Sequence, residues 1–430
     1  METDASYLRR KKEELDVIAA CLSQPQDAPP LRSLEEVIAQ KFRLAAAVKA
    51  ERALDDWAAT ETSWDGPRWR RAGPFAWRYE YQRADLVVRA PAIYRALAGG
   101  TGRVVDTIYS ACGMSALATL LLSLRRTAPG ASLLVPQGAY NETLQLVAND
   151  APDIAVERAA AVPVAKPEDS GRRRVLLVDS SVGGSLLPRD LVAASGRLDL
   201  VVFDTTCLSP ASGRIRRILG WADDSGVPLV LVRSHAKLEL LGVEYGRLGS
   251  TVFVAPLRAP TSRLLERLAH ETRDAIRLLG AAPVPAHFPP FAGGARYETL
   301  SVQRTAALIR NGRRMIRRLR AAGVRVTRYQ HGLYALLHPA QSWELDRAKQ
   351  IAARLAADLR GDALPVRHAG SFGFDFCALD GFPDPGGERY VVRLAFPDIP
   401  ADVAEHVADC IGAWWEAHVI SGTSPKQRAA

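Results

Sequence analysis

From residue 104 to residue 232 the chain keeps returning to one pattern, a short, mostly apolar run followed by a segment with helical spacing. The runs at 104–108, 132–135, 154–159, 174–178, 198–203 and 227–232 show no polar alternation, the mark of strands covered on both faces. Helical segments at 116–124, 138–147, 189–194 and 214–224 separate them. Such strands form a mostly parallel sheet sandwiched by helices, so the expected class is α/β. Residues 251–254 are expected to add one further strand at the edge of that sheet.

The flanking segments read differently. Residues up to about 31 are polar and then proline-rich (Pro25, Pro29, Pro30), which predicts a loosely held arm. Ser33 with Glu35 and Glu36 reads as the capped start of a long helix through Trp57. Residues 64–81 crowd together Trp69, Trp77, Tyr79, Tyr81, Arg78 and Arg83, and periodicity leaves open whether they are core packing or a lip over a site. After a helix over 262–279, residues 281–294 carry four prolines and two glycines, which marks a boundary. Beyond it, helices over 300–322, 343–359 and 401–418 alternate with strands over 324–329, 333–337, 372–378 and 390–396. The expected organisation is an N-terminal arm and helix (1–80), a large α/β domain (81–282) and a smaller C-terminal α+β domain (283–430).

Composition excludes several classes. The formal charge is +9, but the arginines are scattered through helical segments and no basic block is interleaved with aromatics, so nucleic acid is not an expected partner. No apolar run approaches membrane-spanning length, and the charged N-terminus lacks the apolar stretch of a signal peptide. Five well-separated cysteines without a C-x-x-C pair read as reduced thiols in a cytoplasmic protein. The eight histidines show no metal-ligand spacing on one element, so no metal is expected.

Chemistry concentrates where two of the apolar runs end. One ends in Asp204, and the other delivers Ser234-His235-Ala236-Lys237. In an open α/β sheet, that edge is where ligands bind. Only eight of the 56 Lys+Arg residues are lysine, so arginine fills nearly every generic cation position and a lysine just past a buried strand stands out. Unlike arginine, a desolvated lysine can lose its proton and attack a carbonyl. Gly113 and Met114 open a helix whose free amides suit a phosphate, Ser234 adds a hydroxyl, and Tyr140 offers a ring for stacking. Asp204 suits a protonated heteroaromatic nitrogen. Pyridoxal 5′-phosphate asks for all of these together.

In order and approximate spacing, Ser110 to Ala116, Ala139-Tyr140-Asn141-Glu142-Thr143, Val202-Phe203-Asp204-Thr205-Thr206 and Ser234-His235-Ala236-Lys237 resemble the motifs of fold type I pyridoxal-phosphate enzymes. They are most similar to the Cys/Met-metabolism branch, which contains the cystathionine synthases and lyases. The resemblance runs from about residue 81 to 396. It implies an aspartate-aminotransferase-like large domain and an imine at Lys237. It also implies cofactor contacts from Asp204, Thr206, Tyr140, Gly113, Met114 and Ser234. Tyr81 and Arg83 are similar to a Tyr-x-Arg that reaches the neighbouring subunit's phosphate, which implies a homo-oligomer. Arg393 is similar to the arginine that grips the substrate carboxylate, with Ser371 lining the same pocket.

The chain also departs from that pattern. Asp179-Ser180-Ser181-Val182-Gly183-Gly184 stands in place of a Pro-x-Asn-Pro turn, and His235 replaces the usual residue before the lysine's neighbour. The expected function is β/γ-elimination or replacement on an amino acid in a specialised biosynthetic pathway. Lys237, Asp204 and Tyr140 carry the chemistry in that reading. An aminotransferase or oxidase on the same scaffold, or a cofactor-free binding protein retaining the fold, are the alternatives.

Overall fold

A computed structural model describes residues 2–24, 30–62, 68–79, 86–98, 103–136, 138–159, 172–182, 186, 198–257, 263–385 and 389–420, the side chains of 55–62 excepted. The chain forms two compact units. The larger comprises Ala46–Leu240 and Glu244–Gly293; the smaller comprises Met1–Ala45, Leu241–Val243 and Gly294–Ala430.

In chain order, helices α1 (Asp4–Ala19) and α2 (Leu34–Thr62) precede a three-stranded antiparallel meander of β1 (Arg70–Ala72), β2 (Phe75–Tyr79) and β3 (Leu86–Arg89). The α/β series follows: β4 (Val104–Ser110), α3 (Gly113–Thr127), β5 (Ser132–Pro136), α4 (Asn141–Asp150), β6 (Ala155–Ala159), β7 (Arg174–Asp179), β8 (Leu200–Asp204), α5 (Gly213–Ser225), β9 (Leu229–Ser234), β10 (Gly249–Val254) and α6 (Arg263–Leu279). Its strands make one sheet in the order β4-β10-β9-β8-β7-β5-β6, parallel from β9 through β6.

Alternate residues of the same strands face opposite cores. Leu133, Val175, Val202 and Val230 pack with Leu117, Leu120 and Leu268 of α3 and α6. Leu134, Leu176, Val201 and Leu229 pack with Ile215, Ile218 and Leu219 of α5. Both faces are therefore apolar, which is why the runs lack alternation.

Strand β10 corrects one expectation: it lies inside the sheet, antiparallel to both β4 and β9, and not at its edge. All six of its residues are buried, as an interior position requires. The helix expected at 189–194 lies outside the described residues. Within the aromatic stretch before the sheet, Trp77 is core: it is buried and stacks on Phe288 at 5.9 Å between ring centroids.

In the smaller unit, α7 (Ala295–Ala321), α8 (Leu345–Gly361) and α9 (Ala401–Trp415) cover one face of a five-stranded sheet. The strands are β11 (Arg325–Arg328), β12 (Tyr334–His338), β13 (Val366–His368), β14 (Cys377–Pro383) and β15 (Tyr390–Ala395), in the order β11-β12-β15-β14-β13. The strand expected over 372–378 begins only at Cys377. Positive φ at Gly373 (96°) breaks the extended path before it.

The start of the chain is a second correction. It is no loose arm: Thr3 caps α1 and accepts a bond from the Ser6 amide, and Tyr7, Lys11, Glu14 and Leu15 are buried. Its charged residues are satisfied within the smaller unit. Lys11 Nζ donates to Asp375 Oδ1 at 2.5 Å and Asp398 Oδ2 at 2.6 Å, and Arg10 binds both oxygens of Asp398 at 2.8 Å. Polar composition reads as a solvated arm only when the partners, some 360 residues away in sequence, are out of view.

Candidate active site

The site is built at the carboxyl ends of β7, β8 and β9, where parallel strands leave unpaired groups facing outward. Asp179 and Asp204 are register neighbours there, and Asp204 pairs with Val232 of β9. Asp204 Oδ1 accepts the Thr206 amide at 2.8 Å, and Thr206 Oγ1 accepts the Ser234 amide at 3.0 Å. Asp179 Oδ2 accepts the Tyr140 amide at 2.7 Å, which fixes the start of α4. Four expected residues, Tyr140, Asp204, Thr206 and Ser234, are thus tied into one strip by backbone and side-chain bonds.

Gly113 joins it at the start of α3. A Cβ built on Gly113 would stand 2.8 Å from Ser234 Cβ and 3.2 Å from its Cα, so only glycine lets the helix end come this close to β9. Cys112 caps α3, its Sγ accepting the Ser115 amide at 3.4 Å. The amides of Gly113 and Met114 have no acceptor among the described residues, as first-turn amides ordinarily do not. Gly113→Ala should cost about 1–3 kcal/mol through overpacking, read as a lower urea midpoint with an unchanged slope.

Lys237 follows Ser234 by three residues and is half-buried. Burial, then the charges of Asp179 and Asp204, push the Cys207 thiol's pKa up, and its bond with Ser180 and then the Lys237 charge draw it back down. One thiol therefore feels both carboxylates and the lysine. His235 faces elsewhere, as expected: it is buried, shares a 2.8 Å bond with Ser250 Oγ, and burial followed by the Arg233 charge pushes it down to about 3. It is a neutral core histidine.

The electrostatics of this strip are set by two acids side by side, Asp179 buried and Asp204 half-buried. Burial, then the Asp179 carboxylate, push Asp204 up to about 7, against the Thr206 bonds and the Arg233 charge that favour its anion. A cation placed against Asp204 would restore its ionised form.

The remaining expected residues are elsewhere. Tyr81 and Arg83 lie outside the described residues. Ser371 and Arg393 are in the smaller unit, both buried. Arg393 lies over the Phe382 ring at 4.7 Å, and its Nη2 is 3.7 Å from Asp380 Oδ2, too long for a hydrogen bond. Its Nε and Nη2 have no hydrogen-bond partner among the described residues. A guanidinium only 5% exposed with two open donors is arranged to receive an anion.

Known structures resemble this chain. A cystathionine gamma-synthase from Xanthomonas oryzae pv. oryzae, solved in complex with aminoacrylate and cysteine, superposes with a TM-score of 0.54 at 17% identity, covering 74% of this chain and 84% of that one. The structure fits a cystathionine complex of that synthase with a TM-score of 0.52 at 17% identity, over 73% and 83% of the two chains. The chain has the fold of the cystathionine synthases and lyases. A methionine gamma-lyase from Micromonospora echinospora also shares that fold, with a TM-score of 0.51 at 19% identity over 73% of this chain and 83% of that one. No family model and no curated protein sequence matches the chain.

On the cystathionine-synthase fold, the expected α/β class with a smaller second sheet is borne out. Two residues of the site were missed. Asp179 ends an apolar run just as Asp204 does, and the same signal identifies it. Arg233 is fully buried, its Nε donating to Glu239 Oε1 at 2.7 Å and its Nη1 to the Thr205 carbonyl at 2.8 Å. Nothing local in the sequence distinguishes it from a surface arginine.

Proposed function

We propose that the chain is a pyridoxal 5′-phosphate enzyme that eliminates or replaces a group on the side chain of an amino acid. The observation that carries this reading is the strip itself, an acid and a lysine delivered by adjacent parallel strands beside a helix end that only glycine can bring close. Its residues fit the cofactor. The Gly113 and Met114 amides with the Ser234 and Thr206 hydroxyls suit the phosphate, Tyr140 the ring face, and Asp204 a protonated ring nitrogen. Neighbours of the same fold bind amino acids, as the cysteine and cystathionine complexes state.

In this reading the bound cofactor supplies an electron sink for the pair left at the substrate's Cα. The chain supplies the rest. Lys237 Nζ would hold the cofactor at its aldehyde carbon with loss of water and, once the substrate's amine displaced it there, would be free as the base that takes the Cα proton. Asp204 keeps the ring nitrogen protonated, a task that two adjacent acids reinforce. Arg393 takes the substrate carboxylate through its open Nε and Nη2 donors. A homo-oligomer with Tyr81 and Arg83 reaching a neighbour's phosphate, and a cytoplasmic site of action, complete the proposal. Among the described residues no helix is long and apolar enough to cross a membrane.

A screen of amino acids against the cofactor-loaded protein tests the reaction class. Ammonia with a 2-keto acid supports elimination. A new thioether formed from an added thiol supports replacement. Keto acid formed only with an amino acceptor points to an aminotransferase, peroxide to an oxidase, and no visible band at all to a binding protein. Replacing the active guanidinium, as in Arg393→Met, should raise KM about 10–100-fold with little change in kcat, since a charge-assisted bidentate contact contributes about 1.5–3 kcal/mol. A kcat loss with unchanged KM would contradict the assignment.

A further inference from the structure

Four residues beyond Lys237 the backbone does something costly. Leu241 sits at φ 51°, in the left-handed region that a branched side chain avoids, and Gly242 follows at φ 91°. A Cβ on Gly242 would stand 2.3 Å from Arg304 Nη2 and 2.8 Å from Asp375 Oδ2. The turn is therefore pressed against a buried cluster of charges, and that cluster grips it. Lys41 Nζ donates to the Leu241 carbonyl at 2.8 Å, to Asp375 Oδ2 at 2.6 Å, and to Glu14. Lys41 has no exposed surface, and its three ammonium protons have three acceptors.

The cluster is balanced: the cations Arg10, Lys11, Lys41 and Arg304 face the carboxylates Glu2, Glu14, Asp375 and Asp398, four against four. A buried ionic cluster is often no more stabilising than apolar side chains of the same volume, so what it adds is a defined geometry. The residue choice agrees. In a chain where arginine is the default cation, two of eight lysines are spent here, where a compact ammonium must meet three oxygens at once. Strained backbone persists only where its surroundings over-determine it, and such strain gathers at functional sites.

We infer that Lys41 is a positioning residue for Lys237: by holding the Leu241 carbonyl it fixes the left-handed turn, and with it the reach of the Lys237 amine. Before Lys237 the segment is held by the Ser234 amide on Thr206, and two residues after it by Glu239 on Arg233. Lys41 adds the hold on the turn itself, at the Leu241 carbonyl. The inference rests on the proposed role of Lys237 as the amine that captures the cofactor aldehyde.

The test compares wild type with Lys41→Met/Glu14→Gln, which removes one charge of each sign and keeps the cluster neutral, and with Lys41→Arg, which keeps the charge but not the three-way geometry. Three quantities are read on each: hydrogen–deuterium exchange of amides 238–243, the rate at which pyridoxal 5′-phosphate is captured on Lys237, and the affinity for pyridoxamine 5′-phosphate, which lacks the aldehyde. Exchange at 238–243 should rise about tenfold or more with exchange in β8 and β9 unchanged, because the loss is local. Aldehyde capture should slow about tenfold while pyridoxamine 5′-phosphate binding stays within about twofold, because only the amine's placement is lost. Should the double variant not fold, the same three readings on Lys41→Arg decide. Capture at the wild-type rate, or slowed capture without faster exchange at 238–243, would overturn the inference. If wild type itself captures no aldehyde on Lys237, the proposed function fails, and the inference with it.

Discussion

Lys237→Ala should abolish the visible absorbance of the cofactor-loaded protein and lower turnover by about 10²–10⁴-fold, the loss of a positioned proton carrier. Its amine is the one group the site offers that can both hold an aldehyde and move a proton at the substrate's Cα. The structure gives it a setting suited to this: half-buried, on a segment held at both ends, with its charge felt at Cys207 together with those of Asp179 and Asp204. Affinity for the phosphate end should survive, because Gly113, Met114 and Ser234 are untouched. A Lys237→Ala protein that keeps both colour and turnover would remove the basis of the reading.

Asp204→Asn should uncouple activity from stability in opposite directions. Turnover should fall about 10²–10³-fold, as expected on losing a preorganised charge partner. Stability without cofactor should rise at about pH 8, by a few kcal/mol, since each unit of pKa displacement is worth about 1.4 kcal/mol. The sign follows from burial and the Asp179 charge, which push Asp204 up to about 7, above its unfolded value. Between about pH 4 and pH 7 the folded protein keeps a proton that the unfolded chain has released. The stabilisation from that proton is fully present below the lower value and lost as pH rises through the upper one. Asparagine carries no charge to desolvate and can still accept the Thr206 amide, so the gain should appear at pH 8 and fade toward pH 4. Urea unfolding of both proteins at the two pH values checks it; equal stability at pH 8 would show that Asp204 is not held in a destabilised state.

At lower pH the opposite linkage takes over. Burial alone would raise Asp375 and Asp398, but Arg304 and the two buried lysines at Asp375, and Lys11 and Arg10 at Asp398, hold both carboxyls below the usual range. Their contribution is present above about pH 4 and lost as pH falls further.

Much of this fold is legible in the sequence because its strands are covered on both faces. Each of the six mostly apolar runs from 104 to 232 became a strand, five in the parallel series and one as β4, which β10 separates from it. The acid of β8 and the lysine after β9 could be placed at one sheet edge because parallel strands end together. What the sequence hid was long-range. An interior antiparallel strand such as β10 has the same apolar composition as an edge strand, so its place in the order depends on pairing with β4 that no local pattern encodes. Lys11, Glu14 and Lys41 look like solvated helix residues until Asp375, Asp398 and Arg304 arrive from the far end of the chain. Arg233 was hidden for the same reason: its partner Glu239 is close in sequence, but its burial comes from the sheet around it.

The central claim is that one amine among eight lysines takes the cofactor's aldehyde. Borohydride reduction of protein incubated with pyridoxal 5′-phosphate, followed by digestion and peptide mass spectrometry, reads it directly. The account predicts a single phosphopyridoxyl adduct, on the peptide that carries Lys237. An adduct spread over surface lysines such as Lys12, or none at all, would contradict it.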